Sequence, residues 1–124
     1  QLAGRVSFMP FVPEREMPGL YQHAELILYP TLFEGFGFPA LEAQAVGAPV
    51  LFSDLSSLSE LKGPGAETLP VDNLDVWVET CRRILSHRQG SGRGDMGRGR
   101  AWARRFSWKE SADRHLQVYR SAVR

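Results

Sequence analysis

The sequence predicts an α/β fold, a parallel sheet with helices on both faces. Three observations lead there. Short apolar runs rich in Val, Leu and aromatic residues recur along the chain. Segments of helix-forming residues lie between them, and Pro and Gly punctuate the junctions. Strand and helix in alternation imply parallel strands joined by crossovers.

In chain order, Val6-Ser7-Phe8 marks a first strand over about 5–9, and a helix follows over 16–23. Leu26-Ile27-Leu28-Tyr29 reads as a buried strand (25–29) that stops at Pro30. A helix over 38–47 takes Pro39 in its first turn, where the missing N–H costs nothing, runs through Ala40-Leu41-Glu42-Ala43-Gln44-Ala45, and ends at Gly47. Pro49-Val50-Leu51-Phe52-Ser53 is the next strand (49–53), followed by a short helix (56–61) and a strand over 66–70. Helices over 73–86, 95–105 and 108–122 complete the chain. The Gly-rich Arg88-Gln89-Gly90-Ser91-Gly92-Arg93-Gly94 between the first two of these is expected to be a mobile loop.

Length and composition bound the function. A chain of 124 residues suits one domain, 1–124, with residues 106–124 as its C-terminal helix. A chain this short buries about two thirds of its unfolded surface. The 43% hydrophobic content supports a core, and the net charge of +1 commits the chain to no polyanionic partner, nucleic acid included. The single cysteine, Cys81, excludes an internal disulfide and lies in a helical run, where a structural thiol is expected. No apolar run approaches the ~18 residues of a membrane span, and no signal sequence opens the chain, so a cytoplasmic domain is expected. The start at Gln1 is expected to reflect truncation or processing. His23, His87 and His115 lack metal-ligand spacing, so no metal is expected.

Charge is unevenly placed. Residues 1–81 hold 3 Lys/Arg against 11 Asp/Glu, and residues 82–124 hold 12 against 3. The basic segment either meets anionic headgroups, making the protein peripheral at an inner membrane, or is a solvated helix face that balances the acidic part.

The segment with most chemistry runs from Glu34 to Glu42, two carboxylates bracketing Gly35-Phe36-Gly37-Phe38 and a helix start. A strand entering a glycine turn and then a helix leaves unpaired N–H groups aimed at one spot, which the helix dipole makes favourable for an anion such as a diphosphate. Gly35 and Gly37, without Cβ atoms, allow positive φ and close approach to a phosphate. Carboxylates accept hydroxyl hydrogen bonds well, so Glu42 suits a ribose diol and Glu34 the hydroxyls of a sugar beyond the phosphates. The plainer alternative is that Glu34 caps the turn and Glu42 complements the helix N-terminus. Thr31 offers its hydroxyl either to a phosphate or to a turn, and Asp54 is expected as a helix or turn cap.

Glu34 through Val50, EGFGFPALEAQAVGAPV, resembles the signature of family 4 retaining glycosyltransferases of the GT-B fold, with its two glutamates seven residues apart, small-residue helix and G-x-P-V strand. The flanks agree. Val6-Ser7-Phe8 is similar to a family strand, Met17-Pro18-Gly19-Leu20-Tyr21-Gln22-His23-Ala24 to its LP-x-LY-x-x-A helix, and Phe106-Ser107-Trp108 to its late F-S-W. The resemblance spans nearly the whole chain, its central motif being the specific part. It implies a Rossmann-like sheet, part of the donor-binding C-terminal domain.

By the same resemblance, Glu34 is the catalytic residue that contacts the transferred sugar. Amides around Phe36, Gly37 and Phe38 approach the donor, Glu42 binds the ribose, and Glu60 lies near the donor site. The donor is a GDP- or UDP-linked sugar, the acceptor a saccharide or a lipid-linked hydroxyl, and no cofactor or metal is implied. Hexose transfer would retain anomeric configuration by front-face attack, with the leaving phosphate helping to take the acceptor proton. Mannose, in bacterial polysaccharide or lipopolysaccharide assembly, suits the motif region. The family's enzymes have two domains, with an Arg and Lys pair clamping the diphosphate in the opening strands of the second. The chain carries neither the N-terminal domain nor a recognisable version of that pair, and is therefore expected to be inactive alone. Two alternatives stand beside this reading: a nucleotide-sugar-binding or structural fragment without catalysis, and a glycosidase using Glu34 and Glu42 as acid and nucleophile.

Overall fold

The computed structural model describes residues 4–91 and 96–123. Three strands, β1 (Ile27–Tyr29), β2 (Val50–Ser53) and β3 (Ala66–Leu69), form a parallel sheet in the order β1-β2-β3. Ile27 lies opposite Val50 and Tyr29 opposite Phe52, while Val50 pairs with Ala66 and Ser53 with Leu69. All four residues of β2 are buried, as expected for the middle strand of a parallel sheet covered on both faces.

The two-residue period of β2 divides the core. Val50 and Phe52 join Ala40 and Ala43 of α2 (Phe38–Val46) and Leu58 of α3 (Ser56–Ser59), together with Leu61 and Ala66. Leu51 points to the other face, where it meets Leu69 and Trp77 of α4 (Leu74–Ser91). Cys81 packs half-buried at the edge of this second cluster, so its thiol serves as core. Trp77 Nε1 donates to Pro70 O at 2.8 Å and ties α4 to the end of β3.

Helix α2 stops as its sequence predicts. Gly47 takes φ +82°, and the Ala48 N–H reaches back to Ala43 O at 2.8 Å, a closure that satisfies a terminal carbonyl. Helix α5 (Met96–Ala103) lies along α2, where Arg100 donates to Val46 O through Nε at 3.1 Å and Nη2 at 2.8 Å. That places a cation at the negative end of α2. Gln44, 1% exposed, is fully used: its Nε2 donates to Ala40 O and Leu61 O, and its Oε1 accepts from Gly63 N–H.

Three expectations change. The strand over 5–9 does not form: residues 6–9 are irregular, with Phe8 92% exposed. A strand needs a neighbour for its N–H and C=O groups, and β1 pairs only with β2 among the described residues. Helix α4 continues to Ser91, so residues 88–91, expected in a loop, are helical. Local backbone bonding outweighs the single glycine there, which costs a helix only about 1 kcal/mol. The rest of that loop, 92–94, lies outside the described residues. Asp54 does not cap α3, whose N-cap is Leu55 without a side-chain bond; its carboxylate accepts instead from Ser59 Oγ at 3.2 Å.

Before the sheet, a 3-10 turn (Glu14–Glu16) leads into α1 (Met17–His23), which packs on α2. At the far end α6 (Trp108–Ala122) starts with Ser107 Oγ accepting from Glu110 N–H at 3.1 Å, and it has no buried residue. Much of the basic segment is engaged within the chain. Arg83 pairs with Glu67, Lys109 with Asp113 and Arg114 with Glu110, and Arg105 stacks 4.5 Å above the Trp102 ring. Of these ion pairs Arg83–Glu67 joins the basic segment to the acidic part, and the other two lie within α6 itself. No helix among the described residues is long and apolar enough to cross a membrane.

Candidate functional site

The site forms at the carboxyl ends of the strands, where ligands bind in open parallel sheets. Residues 30–37 leave β1 and reach α2 across the connection between β2 and α3. Two hydrogen bonds fasten this segment to the two elements that flank that connection. The Thr31 N–H donates to Ser53 Oγ at 2.8 Å, and Ser57 Oγ donates to Glu34 O at 2.8 Å.

Each candidate carboxylate faces a tyrosine. Tyr29, the last residue of β1, donates its hydroxyl to Glu34 Oε1. Burial, then the hydrogen bond to Glu34 and its charge, push the Tyr29 phenol up to about 12. Tyr21 on α1 lies near Glu42 on α2: burial first, then the charge of Glu42 and hydrogen bonding to it, raise the Tyr21 pKa. The sequence offered no signal for either pairing beyond the presence of the two aromatic hydroxyls.

Gly37 fills the N-cap position of α2 at φ +98°, the left-handed region. Ala40 and Leu41 both donate to Gly37 O, and Pro39 has no N–H, so the Phe38 amide is left without a partner among the described residues. The expected positive φ at Gly35 is absent, because the turn concentrates its left-handed residue at Gly37. A Cβ on Gly35 would meet nothing within 4 Å, so its surroundings are open. The Thr31 hydroxyl donates to Phe33 O at 3.0 Å, the turn-forming alternative of the two considered for it.

Phe36 and Phe38 join the aromatic side chains that precede and open α6. Their rings lie 4.9 Å apart, and Phe36 meets Phe106 at 6.3 Å while Phe38 meets Trp108 at 6.1 Å. With Glu60, Trp102 and Arg105 they line a cavity of about 690 Å³ between the glycine turn and the start of α6. Glu60 therefore shares a cavity with Phe36 and Phe38, whereas Glu34 and Glu42 do not line it. The contribution of Trp102, Phe106 and Trp108 was not legible in advance, since they lie more than sixty residues after the turn. Among the described residues no group of three or more His, Cys, Asp or Glu side chains is placed to hold a metal ion.

Residues 1–87 match the family described as glycosyl transferases group 1. The chain belongs to that family. Similar relatives include O-antigen chain mannosyltransferase B of Escherichia coli, 34% identical over 118 residues, covering 94% of this chain and 30% of the relative. D-inositol 3-phosphate glycosyltransferase of Nocardia farcinica is 34% identical over 124 residues, 98% of this chain and 27% of that protein. MMP alpha-(1->4)-mannosyltransferase of Mycolicibacterium hassiacum is 35% identical over 114 residues, 89% of this chain and 28% of that protein. The chain thus spans less than a third of the length of each of these relatives.

Proposed function

We propose that this chain is the donor-binding part of a retaining glycosyltransferase that moves a hexose from a nucleotide-diphosphate sugar to a hydroxyl of a saccharide or lipid-linked acceptor. The observation that carries this is the arrangement around the start of α2. An open amide at Phe38 and an uncrowded Gly35 lie between two glutamates, Glu34 accepting from the Tyr29 hydroxyl and Glu42 lying near Tyr21. In this reading the turn amides meet the diphosphate, Glu42 binds the ribose, and Glu34 orients the sugar without becoming covalently attached. The departing phosphate helps to take the acceptor proton. Thr31 and Glu60 stay at the edge of the site, Thr31 reaching a phosphate only by exchanging its bond to Phe33 O.

The names of two relatives support mannose as the transferred sugar and bacterial polysaccharide assembly as the setting. The length relation supports a partner domain supplying the acceptor side. Membership of a glycosyl transferase family weighs against a glycosidase. A non-catalytic nucleotide-sugar-binding fragment predicts binding without transfer.

The test is a calorimetric titration of the chain with UDP, GDP and their sugar conjugates, repeated with Glu42→Ala. Saturable binding of one nucleotide, lost in the variant, supports the donor site and names the base. Equal binding by the variant removes the ribose role of Glu42. In the full-length protein, Glu34→Ala is expected to abolish transfer, and unchanged turnover there would sink its assigned role.

A further inference from the structure

We propose that Tyr29 is a positioning residue for Glu34, with Ser57 holding the same glutamate from its backbone side. The inference rests on Glu34 as the residue that orients the sugar, and it deepens that reading.

Glu34 sits on an irregular segment, where a glutamate side chain has several rotamers to choose from and loses on the order of 1.5–2 kcal/mol of rotamer freedom when fixed. Orienting a substrate demands one rotamer, because a misplacement of about 1 Å can cost roughly a hundredfold in rate. The fold holds Glu34 at both ends. Its carbonyl accepts from Ser57 Oγ on α3, 23 residues away in sequence, at 2.8 Å. Its carboxylate accepts from the Tyr29 hydroxyl through Oε1.

Tyr29 is well placed for this. It ends β1 opposite the fully buried Phe52, and its side chain packs against the core cluster, so the hydroxyl is aimed by a rigid element. A phenol donates one hydrogen bond without bringing a positive charge, so the carboxylate keeps its net charge and Oε2 remains for sugar hydroxyls. A Lys or Arg in the same place would form an ion pair and compete with the ligand. The Thr31 N–H bond to Ser53 Oγ anchors the entry of the segment, so the backbone leading to and at the glutamate is tied to the end of β2 and to α3.

Two measurements test this. In the chain itself, nuclear magnetic resonance of tyrosine labelled at Cζ follows the titration of Tyr29. Its midpoint, about 12, is expected to fall part of the way toward 10 in Glu34→Ala, burial still holding it up, and to move less in Ser57→Ala, with Ser57→Thr restoring it. A Tyr29 midpoint unchanged in Glu34→Ala overturns the pairing. In the full-length protein, Tyr29→Phe is expected to lower kcat for sugar transfer by roughly ten- to a hundredfold with KM for the donor within about twofold. Wild-type transfer matched by Tyr29→Phe overturns the positioning role while leaving the functional reading intact. A wild-type protein that transfers no sugar overturns that reading and the catalytic purpose of the pair, and the titration then decides the contact alone.

Discussion

Gly37 lies directly against Leu58: a Cβ built on Gly37 would overlap Leu58 Cδ2, and the glycine holds φ +98°. The glycine that opens α2 is thus also the floor on which α3 packs. Fold and candidate site share one residue, whereas Gly35, two positions earlier, has open space around it.

That contrast predicts opposite outcomes for the same substitution. Gly37→Ala is expected to destabilise by about 2–4 kcal/mol, combining a left-handed alanine with overpacking against Leu58. Gly35→Ala should leave stability within about 0.5 kcal/mol while weakening nucleotide-sugar affinity, because its methyl would stand where the phosphate approaches. Urea denaturation and calorimetric titration separate the two effects.

Gln44 is the polar pin between α2 and the residues after α3. Gln44→Leu keeps the volume roughly constant but strands the Gly63 N–H and removes a donor from Leu61 O. A loss of about 1–3 kcal/mol is expected, on the scale of one buried polar group left unsatisfied. Denaturation midpoints at constant slope would measure it.

The Tyr29 phenol predicts an alkaline limit to stability. Its folded pKa, about 12, lies above the ordinary value of 10.0. The neutral phenol's contribution is therefore fully present below about pH 10 and is lost as pH rises toward 12, since the unfolded chain gives up the proton first. Tyr29→Phe should be less stable than wild type near pH 8 and should show a shallower decline from pH 10 to 12. Parallel curves for the two proteins would show that the phenol contributes nothing.

Arg100 predicts a smaller effect. Both its Nε and Nη2 reach Val46 O at the end of α2, so Arg100→Ala is expected to cost about 0.5–1.5 kcal/mol. The loss should be insensitive to Glu34 substitution, since Glu34 precedes the first turn of α2 while Val46 ends it, and a double variant would check that additivity.

Much of the fold was legible because it is written locally. The apolar run ending at Tyr29, the small-residue helix closed by Gly47 and the strand through Phe52 each carry their own boundary signals, and the observed elements lie within a few residues of them. The segment around Val6 carried the same apolar signal and failed, because a strand is completed by a neighbour and not by its own composition. The extension of α4 through Ser91 is the converse case, where continuing backbone bonds overrode glycine punctuation.

The sequence by itself determined the α/β alternation, the glycine turn between Glu34 and Glu42, and membership of a glycosyl transferase family, since spacing along the chain is enough for each. Only the tertiary structure decided that Tyr29 faces Glu34, that Tyr21 faces Glu42, that Ser57 holds the Glu34 backbone, and that Phe36 and Phe38 turn toward Phe106 and Trp108. The physical reason is that a hydrogen bond or ring contact depends on distance in space. Residues separated by 23 positions in the chain, as Glu34 and Ser57 are, meet only once the sheet has fixed where each loop ends.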